Sequence, residues 1–199
     1  MTLLHDRVRI TVEGDIAYVA LARPDRHNGM DFAMLKAVIA CIHGNCFGAG
    51  IQLALGADIR YTTPDAKISV MEAKWGLIPD MGGAVLLREL VPIDVAKELA
   101  MTGRVIDGTQ AKQLNLVTHV VDDPLAAARA LVDELRVRSP DSVAAGKFLF
   151  RDAWLNDDWG ASRAERLWQR RLMGFANFRI SVKRNQKQED IPFAKRRIG

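Results

Sequence analysis

Two carboxylates, Glu72 and Asp80, stand in the segment SVMEAKWGLIPDMGG. Val, Met, Trp, Leu and Ile surround them, so both are expected to be partly desolvated. Desolvation raises a carboxylate's pKa toward the range useful for proton transfer. The plainer alternative is a surface loop with its acids in solvent and Asp80 as an ordinary turn residue.

A second cluster lies upstream. IHGNCFGAGIQLALGADIRY holds glycines at 44, 48, 50 and 56 among Ile, Leu and Ala. Glycine weakens helix and strand interiors, so this much unhindered backbone suggests a close approach by something. The order strand, HGNCFGAG, helix sets Gly48-Ala49-Gly50 at a helix start. There the first N–H groups lack internal acceptors and the helix dipole is positive, which suits an anion or a developing oxyanion. Close strand–helix packing explains the same glycines equally well. The spacing is neither the dinucleotide fingerprint nor the phosphate loop, and no G-x-S-x-G elbow occurs.

Regular elements must hold these residues. VRITVEGDIAYVALAR alternates apolar and polar residues around Glu13-Gly14-Asp15 and predicts a hairpin. Asp31 is placed to cap a helix beginning FAMLKAV. VIACIHG reads as a buried strand, GAGIQLALGAD as a helix and IRYTTP as the next strand. AKISVMEAKWGLIPDMGG reads as strand then loop, and AVLLRELV as a helix opening after Gly82-Gly83. Five further helices are expected, ending with WGASRAERLWQRRLMGF, and the strand VTHVVD interrupts them. Met71 and Trp75 are expected as core filling rather than ligand contacts. The outline is α/β, with strands alternating with helices and a helical C-terminal part.

Composition narrows the class. The 199 residues are 49% hydrophobic and 26% charged, an ordinary soluble balance. No apolar run reaches the ~18 residues that a membrane span needs. The N-terminus carries early charges and no apolar core, so no secretory signal is expected. Cys41 and Cys46 fit a reduced, cytoplasmic protein, and the scattered His5, His27, His43 and His119 predict no metal site. The net charge of +4 gathers in late segments where basic and acidic residues interleave. That reads as a solvated helical surface, with no nucleic-acid partner expected.

The stretch from AVIACIHGNCFGAGIQLALGADIRYTTPDAKISVMEAKWGLIPDMGGAVLLREL through ELAMTGRVIDGTQAKQLNLVTHVVD resembles the enoyl-CoA hydratase/isomerase family, the crotonase superfamily. The first hairpin and RPDRHNGMD share the likeness. It implies crotonase-like stacked ββα units over residues 1–135 and a helical trimerisation region over 136–199, assembled as a homotrimer or hexamer. It implies an acyl-CoA thioester as substrate, and no cofactor beyond the coenzyme A that the substrate carries.

Position by position, the resemblance makes Ala49 one of two backbone donors to the thioester oxygen, flanked by substrate-binding Gly48 and Gly50. Arg26 lies where the family often sets a basic residue near the CoA phosphates, though a solvated turn arginine explains it as well. Lys195 is expected to reach the nucleotide, either of its own or of a neighbouring subunit. The hydratase subgroup has two glutamates; Glu72 matches one, and Gln52 replaces the other. Gln cannot exchange a proton at neutral pH, though it can orient water. Asp80 matches a catalytic aspartate of some isomerases. Together they imply double-bond isomerisation of an enoyl-CoA. The alternatives are an enoyl-CoA hydratase and a non-catalytic acyl-CoA-binding relative. The family also has several dozen residues, with the second oxyanion donor, where this chain joins FAMLKAV directly to IACIHG. A break near residues 36–40 is expected to mark that omission.

Overall fold

The computed structural model describes residues 2–4, 8–13, 16–21 and 38–198. Arg26, the expected Asp31 cap and its helix lie outside these residues. So do Lys36 and Ala37, on which the expected break partly falls.

The alternating N-terminal pattern forms strands as read, with one addition. β1 (Thr2–Leu4) precedes β2 (Val8–Glu13) and β3 (Ile16–Leu21) in an antiparallel sheet. The predicted hairpin pairs Glu13 with Ile16 and Val8 with Leu21.

From residue 38 the chain repeats a strand–strand–helix unit. β4 (Ile39–Ile42), β5 (Asn45–Phe47) and α1 (Ala49–Leu55) make the first. β6 (Ile59–Thr62) and β7 (Lys67–Ser69) open the second, followed by a 3-10 turn (Glu72–Trp75) and α2 (Gly83–Leu87). The units stack in register, with β4 parallel to β6 and β5 parallel to β7. Further on, α3 (Ile93–Thr102), β8 (Ile106–Asp107), α4 (Gly108–Gln113) and β9 (His119–Val120) complete both sheets. β9 extends β4-β6 in parallel, and β8 pairs antiparallel with β7. Ile51 and Leu55 of α1 pack with Ile68, Leu87, Leu99 and Leu116 in one buried core. This fixes the register of α1 against β7, and hence of Gly48 against Ser69, whose carbonyl accepts the Gly48 N–H at 2.9 Å.

A buried cation helps lock this layer. Arg60 of β6 donates to the carbonyls of Leu55, Ala57 and Leu116. Burial lowers its pKa and nearby Asp58 opposes the shift, but arginine stays charged at any physiological pH.

The α4 start is a complete capping box. Asp107 accepts from the Gln110 N–H at 2.7 Å, and the Gln110 side chain accepts from the Asp107 N–H. Asp107→Ala is expected to cost about 1 kcal/mol of stability, read as a lowered urea midpoint. A midpoint unchanged from the parent would contradict the cap's contribution.

The chain divides into two compact units within α5 (Pro124–Arg136), the second beginning at Arg129. That unit contains α6 (Pro140–Ala153), α7 (Asp158–Met173) and α8 (Ala176–Lys187). Ser139 caps α6, with Pro140 opening the helix, and Asp157 caps α7. Phe148 and Trp168 stack at 5.6 Å between ring centroids, and Ile198 of the C-terminal tail joins their cluster.

Several expectations need correction. β4 is only partly buried: Ile42 is buried while residues 39–41 are intermediate. The two- and three-residue strands β5 and β8, the 3-10 turn and α8 went unread. α2 is a single short turn that includes Gly83 rather than following it. Trp75 is 75% exposed, so it does not fill the core: it closes a 3-10 turn whose buried member is Glu72.

Candidate active site

The glycine-rich segment turns from β5 into α1 at Gly48. Its φ of 53° is left-handed and uncapped by any side chain, a conformation that glycine adopts without strain. Space there is short as well. A Cβ on Gly48 would lie 3.3 Å from Glu72 Oε1. The turn starting α1 and the 3-10 turn after β7 are therefore in contact at this point. Ala49 is the first residue of α1, so its N–H has no acceptor within the helix.

Glu72 is buried, at 9% exposure. Its two oxygens differ in surroundings. Oε1 accepts from Gln52 Nε2 at 2.6 Å, a buried hydrogen bond spanning two elements. Oε2 is buried with no hydrogen-bond partner among the described protein atoms. A buried acceptor left unsatisfied is costly, so Oε2 is the atom at which an outside donor gains most.

Gln52, at 2% exposure, is held from the other side. Its Oε1 accepts the Met81 N–H at 2.9 Å and the Gly83 N–H at 3.1 Å. Gln52 so ties α1, the 3-10 turn and the start of α2 together. Asp80 precedes Met81 directly and is solvent-exposed. The expectation that both acids are desolvated therefore holds for Glu72 only. Asp80 sits in the surface loop between the 3-10 turn and α2, where its carboxylate keeps its water.

The other expected residues divide as follows. Gly50 is half-buried, with Cys46 Sγ beneath it, 3.9 Å from where a Cβ would stand. Burial pushes the Cys46 thiol up to about 12, so it is protonated at neutral pH and is no thiolate nucleophile. Lys195 is exposed in the second unit. Among the described residues no cluster of His, Cys, Asp or Glu is arranged to hold a metal ion. No described helix is long and apolar enough to cross a membrane. The Met81 and Gly83 N–H groups escaped the sequence reading. Their signal was the Gly82-Gly83 pair, read there only as a helix opening.

The model of the enoyl-CoA hydratase/isomerase family matches residues 30–183. The chain belongs to that family. Carnitinyl-CoA dehydratase of Citrobacter koseri is 37% identical over 122 residues, 60% of this chain and 47% of that protein. The Salmonella typhi protein of the same name is 36% identical over the same extent. The chain thus spans about half the length of the curated relatives it matches. Among solved structures, an enoyl-CoA hydratase from Polaromonas sp. JS666 superposes with a TM-score of 0.74 at 28% identity, covering 80% of this chain and 63% of that one. A Thermobifida fusca protein assigned as an enoyl-CoA hydratase, solved with acetoacetyl-CoA, gives a TM-score of 0.78 at 27% identity, covering 87% and 97%. The fold is that of the crotonase family, and the stacked strand–strand–helix units are its repeating element.

Proposed function

We propose that this family member isomerises the double bond of an enoyl-CoA thioester. The observation that carries the reading is Glu72: a buried carboxylate with one oxygen fixed by Gln52 and the other unengaged, close to the turn that begins α1. A thioester whose carbonyl lies against the Ala49 N–H gains stability as negative charge collects on oxygen. Glu72 Oε2 takes the C2 proton of a 3-enoyl-CoA, breaking C–H and forming O–H. The electron pair delocalises through the carbon chain into the carbonyl. Return of a proton at C4 moves the double bond to C2; exposed Asp80 is assigned to pass that proton from solvent water to C4, and Glu72 then gives the C2 proton up to solvent, so both carboxylates are restored. The CoA complex of the Thermobifida fusca relative supports the substrate class. Gly48 and Gly50 are assigned to substrate binding beside Ala49. By the resemblance Arg26 is assigned to the phosphates and Lys195 to the nucleotide of its own or a neighbouring subunit, and residues 136–199 to homotrimer or hexamer contacts.

A second reading is water addition or removal, favoured by the carnitinyl-CoA dehydratase relatives. It needs two groups that hold and split water. Gln52 supplies no exchangeable proton, and its oxygen is already bound to two N–H groups.

The test is a separate incubation with a 3-enoyl-CoA and with a 2-enoyl-CoA. The expected result is fast 2-enoyl product from the first and slow 3-hydroxyacyl-CoA from the second. Faster hydration than isomerisation would reverse the order of the two readings. No turnover of either would leave an acyl-CoA-binding relative.

A further inference from the structure

We infer that Gln52 is a positioning residue that fixes the plane of the Glu72 carboxylate and so the direction in which its unbonded oxygen meets the substrate. The inference rests on the reading of Glu72 as the acid–base group.

Gln52 can adopt only one amide orientation here. The N–H groups of Met81 and Gly83 both point at one terminal atom, from 2.9 and 3.1 Å. That atom must be the oxygen, because a flipped amide would set NH2 against two donors. With the oxygen fixed, Nε2 faces Glu72 Oε1 at 2.6 Å and donates to it. The carboxylate cannot rotate out of this plane without losing the donor inside a buried site, and a half-turn only exchanges two equivalent oxygens. Oε2 is left as the free oxygen. The backbone of one loop so dictates, through a neutral side chain, the direction from which a proton is taken.

Gly83 is part of the device. A Cβ there would lie 2.6 Å from Gln52 Oε1 and 2.9 Å from Pro79 Cβ. Gly83 stands in α2 without a left-handed φ, so its bareness serves space rather than backbone conformation. Gly83→Ala therefore pushes on Gln52 without touching Glu72.

The probe is butyryl-CoA in D2O, followed by proton NMR. This saturated thioester exchanges its C2 protons without needing a double bond to move. The parent protein should exchange one C2 proton much faster than the other, because one oxygen from one side does the work. Gln52→Met and Gly83→Ala should each slow the fast exchange by about 10- to 100-fold and shrink the ratio between the two protons. Half-saturating butyryl-CoA should stay within about twofold, separating positioning from binding. Glu72→Gln is the control for the underlying reading: full exchange in that variant removes Glu72 as the base and with it the proposed function. Loss of exchange in Glu72→Gln, with parental rate and proton selectivity in both other variants, would overturn the role of Gln52 alone. If Gln52→Met and Gly83→Ala both fail to fold, Gln52 is a structural cross-link and the inference fails as well.

Discussion

Glu72→Gln is expected to reduce enoyl-CoA isomerisation by about 100- to 10,000-fold, the usual contribution of a positioned acid–base group. The substitution is nearly isosteric. Its amide oxygen can still accept from Gln52 Nε2, so the contact made at 2.6 Å survives. What disappears is a group able to bond a proton at the free position. Steady-state turnover of a 3-enoyl-CoA, with thermal unfolding as a check on folding, measures the effect. Asp80→Asn gives the contrasting result. It should depress double-bond migration while sparing C2 exchange, because its assigned step comes after proton removal. Turnover within twofold of the parent in Glu72→Gln would dismiss the mechanism, and equal loss of both reactions in Asp80→Asn would dismiss the division of labour.

The largest stability effect is expected in the second unit, at Asp141. This carboxylate is 1% exposed in the first turn of α6. Its Oδ1 accepts the N–H groups of Arg197 at 2.6 Å and Ile198 at 3.1 Å, and its Oδ2 accepts from Asn177 Nδ2 at 2.7 Å. Asn177 in turn brackets Ala194, accepting its N–H at 2.8 Å and donating to its carbonyl at 3.0 Å. The helix start favours a negative charge there. Asp141→Ala removes the acceptor for two buried or half-buried backbone donors and one side-chain donor. The expected cost is about 3 kcal/mol, because stranded donors lose their full desolvation energy. Asp141→Asn keeps an oxygen and should lose less. Urea unfolding read by tryptophan fluorescence suits the question, since Trp154, Trp159 and Trp168 all belong to this unit. A loss below about 0.5 kcal/mol, the range of an ordinary surface change, would show that the cluster holds nothing.

Legibility followed the physical origin of each element. The hairpin of β2 and β3 was readable because alternation with a turn between is a local signal. α3 to α7 were expected among the five later helices, while caps such as Ser139 before Pro140 emerged only in the structure. β5 and β8 were not, since two or three residues carry no period and exist only through their partner β7. α8, ANFRISVKRNQK, has no apolar stripe, and its only buried residue is Asn177, held by polar contacts that periodicity does not register. In the site, the Gly48-Ala49-Gly50 turn and the carboxylate at 72 pointed to charge and proton chemistry, while Gln52 entered only through the family resemblance. The bond between Gln52 and Glu72 joins elements far apart in sequence, so no spacing rule reveals it. The solvation of Asp80 was misjudged for a related reason. Apolar neighbours in sequence suggested burial, yet Leu77 and Ile78 are themselves 64% and 78% exposed.

The docking of residues 194–198 onto Asp141 and Asn177 bears on how this unit is made. Synthesis runs from the N-terminus, so α6, α7 and α8 are made before Arg197 and Ile198. Until then Asp141 has no backbone partners for Oδ1, and Phe148 and Trp168 lack Ile198 from their cluster. The residues 38–128 carry their own core and can settle while translation continues. The helical unit lacks these contacts until residues 194–198 have been made, and an incompletely packed unit of this kind is open to chaperones and proteases.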